Sequence, residues 1–174
     1  MTIDQLRAAI RDVPDWPKKG IVFKDITPVL ADPALFKLAV DTLAGRHARH
    51  RIDQVCVIEA RGFIFGSAVA AQLGAGIVPI RKKGKLPYQT LEASYDLEYG
   101  TATLQIHVDA LRKGTRVLLI DDLLATGGTA AASAQLIEKL GGEIVEIQFL
   151  IELAFLKGRE KLSKYNVFAP IVFA

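Results

Sequence analysis

Apolar positions along this chain alternate between a helical period and short unbroken runs, and the switches delimit its elements. Ile3, Leu6, Ile10 and Val13 recur at helical spacing behind Thr2, a good helix cap, so the pattern predicts a first helix closed by Pro14 and Pro17. "GIVFKDITPVL" reads as short, extended and proline-bounded, and Asp32 with Pro33 makes the cap and first turn of a helix reaching about Arg49. "QVCVIEA" predicts a buried strand, "GFIFGSAVAAQLG" a helix ending at Gly74, and "GIVPIR" the next strand. Further on come the strand "RVLLIDD", a helix from about Thr129 to Leu140 closed by Gly141, the strand "EIVEIQFLIEL" and a final extended "NVFAPIVFA". Strands separated by helical segments predict an α/β fold: a mostly parallel, twisted sheet flanked by helices, with right-handed crossovers.

Residues 90–108, "TLEASYDLEYGTATLQIHV", break that rhythm. Tyr95, Leu97 and Tyr99 share one face of an alternating run, and beyond Gly100 Leu104, Ile106 and Val108 share one face of the return. The pattern is a hairpin with no helix of its own to cover it. Two readings are open: an antiparallel edge to the sheet, or a mobile lid over a site.

Composition narrows the class. A chain of 174 residues, 51% hydrophobic and 24% charged, suits one globular domain, and no apolar run approaches the roughly 20 residues of a membrane span. The opening "MTIDQLRAAIRDV" mixes charge into its apolar positions and does not read as a signal peptide, so a cytoplasmic setting is expected. Cys56 is the only cysteine, which excludes an internal disulfide and reads as a small buried hydrophobe. A net charge of +3 suits an anionic ligand but falls short of a nucleic-acid-binding tail.

The chemistry concentrates in "RVLLIDDLLATGGTAAAS", residues 116–133. In an open α/β sheet ligands bind beyond the carboxyl ends of strands, where Asp121 and Asp122 fall. The next turn, Ala125, Thr126, Gly127, Gly128 and Thr129, has small residues, two glycines and the unpaired N–H groups of a helix start, the requirements of a phosphate cradle. No lysine comes after the glycines, so this is not the nucleoside-triphosphate loop. Carboxylates beside a phosphate repel it unless they face hydroxyl groups, and the combination therefore points to a phosphorylated sugar. The plain alternative is a solvated acidic pair beside an ordinary glycine turn.

"VLLIDDLLATGGTA" resembles the signature of the type I phosphoribosyltransferase family. "GIVFKDITPVLADP", "EARGFIFG", "IRKKGKLP", "SYDLEYGTATLQIHVDAL" and "IELAFLKGREKL" are similar, in order and spacing, to its adenine-using branch, so the likeness spans almost the whole chain. It implies a fold with a flexible hairpin lid and a short amino-terminal base-binding hood. Within a single domain of residues 1–174 the hood would occupy 1–32, the basic loop and lid 81–108, and the ribose-phosphate strand, turn and helix 116–140.

The implied reaction joins adenine to 5-phosphoribosyl-1-pyrophosphate, giving AMP and pyrophosphate through a cationic, oxocarbenium-like transition state. By resemblance, Ala125 through Thr129 hold the 5-phosphate, while Asp121 and Asp122 hold the ribose hydroxyls and lend negative charge. Arg61, Arg81, Lys82 and Lys85 would neutralise the pyrophosphate, with magnesium (Mg2+) held mainly by ligand oxygens rather than by the protein. Some of these basic residues reach across a dimer interface in the family, which implies a homodimer. The "RKKGK" segment also reads as a solvated loop; nucleic acid is the weaker reading, since no aromatic residues interleave.

In the lid, Glu98 and Tyr99 match positions that close over the substrates, and Glu98 is the expected proton carrier for the purine nitrogen. His107 lies in the same hairpin and reads as a structural strand residue. Val22, Phe23 and Lys24 with Leu123 are the implied adenine contacts, although an isolated Phe23 is more often core. Ala125 stands where the 6-oxopurine enzymes carry an aspartate, which argues against hypoxanthine and guanine but not against xanthine or orotate. Lys24 replaces a common arginine and Lys83 a common proline. A ligand-sensing regulator with this fold is the alternative from another class. The segment before "GIVFKDI" is too short for a separate helix-turn-helix, and neither a nucleic acid nor a membrane is an expected partner.

Overall fold

A computed structural model describes residues 1–96 and 100–174, and the chain divides into two compact units, Met1–Thr42 and Leu43–Ala174. In the first, α1 (Ile3–Ala8) starts with a capping box: Gln5 N–H donates to Thr2 Oγ1, and Thr2 N–H donates to Gln5 Oε1. The helix ends earlier than its apolar spacing predicts. Arg11–Pro14 forms β1 instead, antiparallel to β2 (Val22–Asp25), with Val13 opposite Phe23. Val13 fits either period, and cross-strand pairs of opposite charge, Arg11 with Asp25 and Asp12 with Lys24, favour the strand. The "ITPVL" stretch expected to be extended contains α2 (Thr27–Ala31), while α3 (Pro33–Gly45) starts as predicted, with Asp32 Oδ1 accepting from the N–H groups of Ala34 and Leu35.

The second unit conforms closely to the predicted alternation. Its elements are β3 (Gln54–Ile58), α4 (Gly62–Leu73), β4 (Gly76–Lys82), β5 (Thr90–Asp96), β6 (Thr101–His107), β7 (Arg116–Leu124), α5 (Gly128–Lys139), β8 (Glu143–Leu153), β9 (Val167–Phe168) and β10 (Ile171–Phe173). The sheet runs β10-β8-β7-β3-β4-β6-β5, with β9 also on β8; the β3, β4, β7, β8, β9 and β10 pairings with one another are parallel. Strands buried on both faces read as apolar runs, and Val55 to Ile58 and Val117 to Ile120 are all buried. Cys56 lies among them, and burial pushes its thiol up.

The hairpin of β5 and β6 is the antiparallel edge of this sheet, joined to β4 through Arg81 and Lys82 opposite Gln105 and Leu104. One face is not uncovered as expected. Ala93, Leu104 and Ile106 are buried in the same core as Ala130 and Ala134 of α5, and Tyr95 packs against that core. Helix α5, the crossover from β7 to β8, therefore also roofs the hairpin base. The expected tip residues Leu97, Glu98 and Tyr99 lie outside the described residues. Among those described, no helix is long and apolar enough to cross a membrane.

Periodicity carries no hint of a buried polar knot on β8. Glu146 accepts from Arg46 Nε and Nη2 at 2.9 and 2.6 Å and from Gln148 Nε2 at 2.8 Å, and lies 2.9 Å from His47 Nε2. These partners outweigh desolvation and hold its carboxyl down at about 2. A carboxyl depressed on folding stabilises above its unfolded value and loses that contribution as pH falls through its folded one. Stability is therefore expected to fall steeply between about pH 4.5 and 2 in acid denaturation. Glu146→Gln should flatten that dependence and cost a few kcal/mol at neutral pH, on the order of 1.4 kcal/mol for each tenfold change in proton affinity; an unaltered acid profile would rule out the knot as its source.

Candidate active site

The carboxyl ends of β3 and β7 lie side by side, because the two strands pair in parallel from Gln54 opposite Val117 to Val57 opposite Ile120. The segments leaving the two strands therefore meet in one cleft. After β3 come Glu59, Ala60 and Arg61, which lead into α4; β7 ends with Asp121, Asp122, Leu123 and Leu124, before the turn into α5. Helix α4 lies close against both strands, since a Cβ on Gly66 would stand 2.1 Å from Val57 Cγ1 and one on Gly62 would stand 2.9 Å from Asp121 Oδ1. The cleft encloses about 370 Å³ and is lined by Glu59, Arg61, Lys82, Tyr95, Asp121, Asp122, Leu123 and Thr129, among others.

Three carboxylates enter this space, and each is handled differently. Asp122 is buried and accepts from Arg61 Nε at 2.5 Å, whereas Arg61 keeps part of its surface toward solvent. Glu59 accepts from Arg81 Nε and Nη2, both at 3.2 Å, and from the Lys82 N–H at 3.1 Å; the Arg81 guanidinium holds its carboxyl below the usual range. Asp121 accepts from the Asp122 N–H at 2.8 Å, but desolvation and the neighbouring Asp122 push its carboxyl well above that range. An additional cation beside Asp121 would relieve that penalty.

The Ala125–Thr129 turn has the shape the sequence predicts. Gly127 has φ +79°, a left-handed conformation open to glycine, and α5 starts at Gly128 with no side-chain cap on its free N–H groups. A second pocket of about 70 Å³, roughly twice the share of liquid volume of one water, is lined by Asp121, Ala125, Thr126, Gly127 and Thr129, among others. Behind the turn stands Gly158, which opens a 3-10 helix (Gly158–Leu162). A Cβ on Gly127 would meet the Gly158 carbonyl oxygen at 2.4 Å, and one on Gly158 would meet the Ala125 carbonyl oxygen at 2.3 Å. Arg159 fixes this backing segment: its Nε donates to both oxygens of the buried Glu152 at 2.8 Å, and its Nη1 to the Val167 carbonyl at 2.9 Å.

Of the residues singled out in the sequence, the structure brings Arg61, Lys82, Asp121, Asp122, Leu123 and Thr129 to one cleft, with Ala125, Thr126 and Gly127 in the adjoining pocket. Arg81 is engaged with Glu59 and donates through Nη1 to the Lys85 carbonyl at 3.0 Å, so it braces the basic loop. Lys85 is exposed, and Lys83 pairs with Glu92. His107 ends β6, its ring edge-on to Tyr88, as suits a strand residue. Val22, Phe23 and Lys24 belong to the first unit. There Val22 is half exposed, Phe23 meets Trp16 edge-to-face at 4.4 Å, and Lys24 Nζ lies 2.6 Å from Asp12. Glu98 and Tyr99 fall outside the described residues. Sequence reasoning passed over Glu59, Tyr95, Gly158 and Glu152. Glu59 at a strand exit, in register with the acid pair, was the one with a signal to detect.

The phosphoribosyl transferase domain family matches residues 29–172 of the chain. The chain is 57% identical to the adenine phosphoribosyltransferase of Syntrophotalea carbinolica over 171 residues, covering 98% of this chain and 100% of that protein. It is 60% identical to that of Acidothermus cellulolyticus over 161 residues, 92% of this chain and 91% of the relative. Among solved structures, the adenine phosphoribosyltransferase of Thermoanaerobacter pseudethanolicus superposes with a TM-score of 0.96 at 52% identity, covering 99% and 100% of the two chains. The enzyme of Saccharomyces cerevisiae, complexed with an iminoaltritol bisphosphate and adenine, does so with 0.91 at 40% identity and 97% coverage of each.

Gly158→Ala tests the backing of the turn. With a methyl group forced to 2.3 Å from the Ala125 carbonyl, a loss of about 1–3 kcal/mol in chemical denaturation is expected; an unshifted midpoint would mean the turn is not held from behind.

Proposed function

The chain belongs to the phosphoribosyl transferase family, in its adenine branch, and we propose on that premise that it transfers the 5-phosphoribosyl group of 5-phosphoribosyl-1-pyrophosphate to adenine. The products are AMP and pyrophosphate, and the reaction salvages a free purine base. The observation that carries this reading is a cleft lined by an acid pair and an arginine that shares Asp121, Leu123 and Thr129 with the pocket of the anion-shaped turn.

In this reading the Ala125–Thr129 turn receives the 5-phosphate. Backbone N–H groups at the start of α5 donate to it, helped by roughly half a positive charge from the helix dipole. Asp121 and Asp122 accept from the ribose hydroxyls, and the charge of Asp122, joined by that of Asp121 once a cation lies nearby, stabilises the ring as positive charge develops at the anomeric carbon. Arg61 lies between two tasks, holding Asp122 in the free protein and donating to pyrophosphate oxygens in the complex, with Lys82 lining the same cleft and Lys85 assigned to the same anion by the family resemblance. The family resemblance supports Val22, Phe23, Lys24 and Leu123 as the adenine contacts. By the family resemblance, Glu98 carries the proton of the attacking ring nitrogen and Tyr99 is its companion in the lid motif.

Magnesium fits this donor set as a partner of the ligand. Among the described residues no three His, Cys, Asp or Glu side chains converge into a cage. Asp121, whose ionisation is disfavoured, gains from an extra cation nearby. When bound, the ion neutralises pyrophosphate oxygens and makes them a better leaving group. A cytoplasmic homodimer is the setting that the family resemblance and the single buried Cys56 support.

The deciding experiment offers adenine, hypoxanthine, guanine, xanthine and orotate separately, with 5-phosphoribosyl-1-pyrophosphate and magnesium, and measures pyrophosphate release. Release with adenine alone, with AMP formed, is the expected result; preference for another base would move the pocket assignment, and silence with all five would leave a sensing role. In the same assay Asp122→Asn should lower kcat about 100-fold or more while the circular dichroism spectrum is retained. Unchanged turnover would remove Asp122 from the ribose.

A further inference from the structure

Tyr95 has no part in the proposed transfer, yet it touches both halves of the site. It stands on β5 opposite Ala102 and lines the main cleft. Its hydroxyl oxygen accepts from Thr129 Oγ1 at 2.9 Å. Thr129 lines both the main cleft and the small pocket of the turn. The tyrosine ring packs against the core and lies so close over the start of α5 that a Cβ on Gly128 would come within 2.9 Å of its Cδ2. The hydroxyl is thus placed by the packing of the ring, with the hydrogen bond as an addition.

We propose that Tyr95 is a positioning residue for the sugar-phosphate turn, acting through a reversible hydrogen-bond relay with Thr129. The inference rests on the reading of the turn as the 5-phosphate site. Proton counting carries it. Thr129 has one hydroxyl proton, and in the free protein it goes to Tyr95. A phosphate oxygen in the turn is an acceptor and requires that same proton. When Thr129 turns its proton to the phosphate, its oxygen is left with an open lone pair facing the Tyr95 hydroxyl. Tyr95 then becomes the donor. The chain runs from the Tyr95 O–H to Thr129 Oγ1 and from the Thr129 O–H to the phosphate, each bond polarising the next. In the free state Tyr95 holds the threonine rotamer ready; in the bound state it strengthens the threonine as a donor.

Ribose 5-phosphate is the probe, because it engages the turn without base or pyrophosphate. Its dissociation constant, measured by titration calorimetry, is expected to rise roughly threefold to tenfold in Tyr95→Phe, the range of one neutral hydrogen bond. The loss in Thr129→Val should be at least as large. Joined in one chain, the two changes should cost no more than Thr129→Val alone, since the relay is already broken. With full substrates, Tyr95→Phe should raise KM for 5-phosphoribosyl-1-pyrophosphate by the same factor and leave kcat within about twofold. A role in packing alone would not produce this coupling, because phenylalanine keeps the ring. Normal binding in Tyr95→Phe with weakened binding in Thr129→Val would overturn the relay and leave the phosphate reading standing. Additive losses would also overturn it, and normal binding in both variants would bring down the phosphate reading together with the relay.

Discussion

Three carboxylates line the cleft at the end of two adjacent parallel strands, and much of the site is arranged around compensating their charge. Arg81 takes Glu59 and Arg61 takes Asp122, while Asp121 keeps the cost of its neighbour as a carboxyl that resists ionising. Each pairing has a structural by-product. Holding Glu59 ties Arg81 to the exit of β3 and, through the Lys85 carbonyl, shapes the basic loop after β4. Holding Asp122 fixes the start of α4 to the end of β7. In the free protein two of the three acids are thus held in ion pairs, while Asp121 is the one whose ionisation an added cation would favour.

Close backbone approach is the second constraint. Gly62 and Gly66 let α4 lie directly on β3 and β7, and Gly127 and Gly158 let two turns touch through their main chains. A turn held in this way presents its N–H groups at fixed positions, which suits recognition of an anion whose oxygens have defined directions. The Glu152–Arg159 pair lies beneath this contact and joins the second turn to β8.

The strands were legible in the sequence because apolar runs bounded by glycine and charge have few other uses in a chain of this size; β8 runs from Glu143 to Leu153 as read. The acid pair and its turn were legible because their chemistry is local. Other features were not, and the reasons are physical. Val13 fits a helical and an extended period equally, and ion pairs between Arg11 and Asp25 and between Asp12 and Lys24 decided for the strand. The cover over the hairpin base comes from α5, more than thirty residues beyond Tyr95, so no window around the hairpin could reveal it. Glu146 looks like an ordinary outward-facing residue until Arg46 and His47, about a hundred residues earlier, are brought against it.

The sheet ends at β5, and an end strand offers unpaired backbone groups to any extended segment that drifts past. Here the exposed face of that strand carries Glu92, Ser94 and Asp96, with Glu92 clasped by Lys83 and Gln105. An incoming strand would have to stack its own side chains on this fixed charge. The border of the sheet is thereby guarded against foreign strands by electrostatics, a defence that adds no bulk beside the cleft and weakens as salt rises.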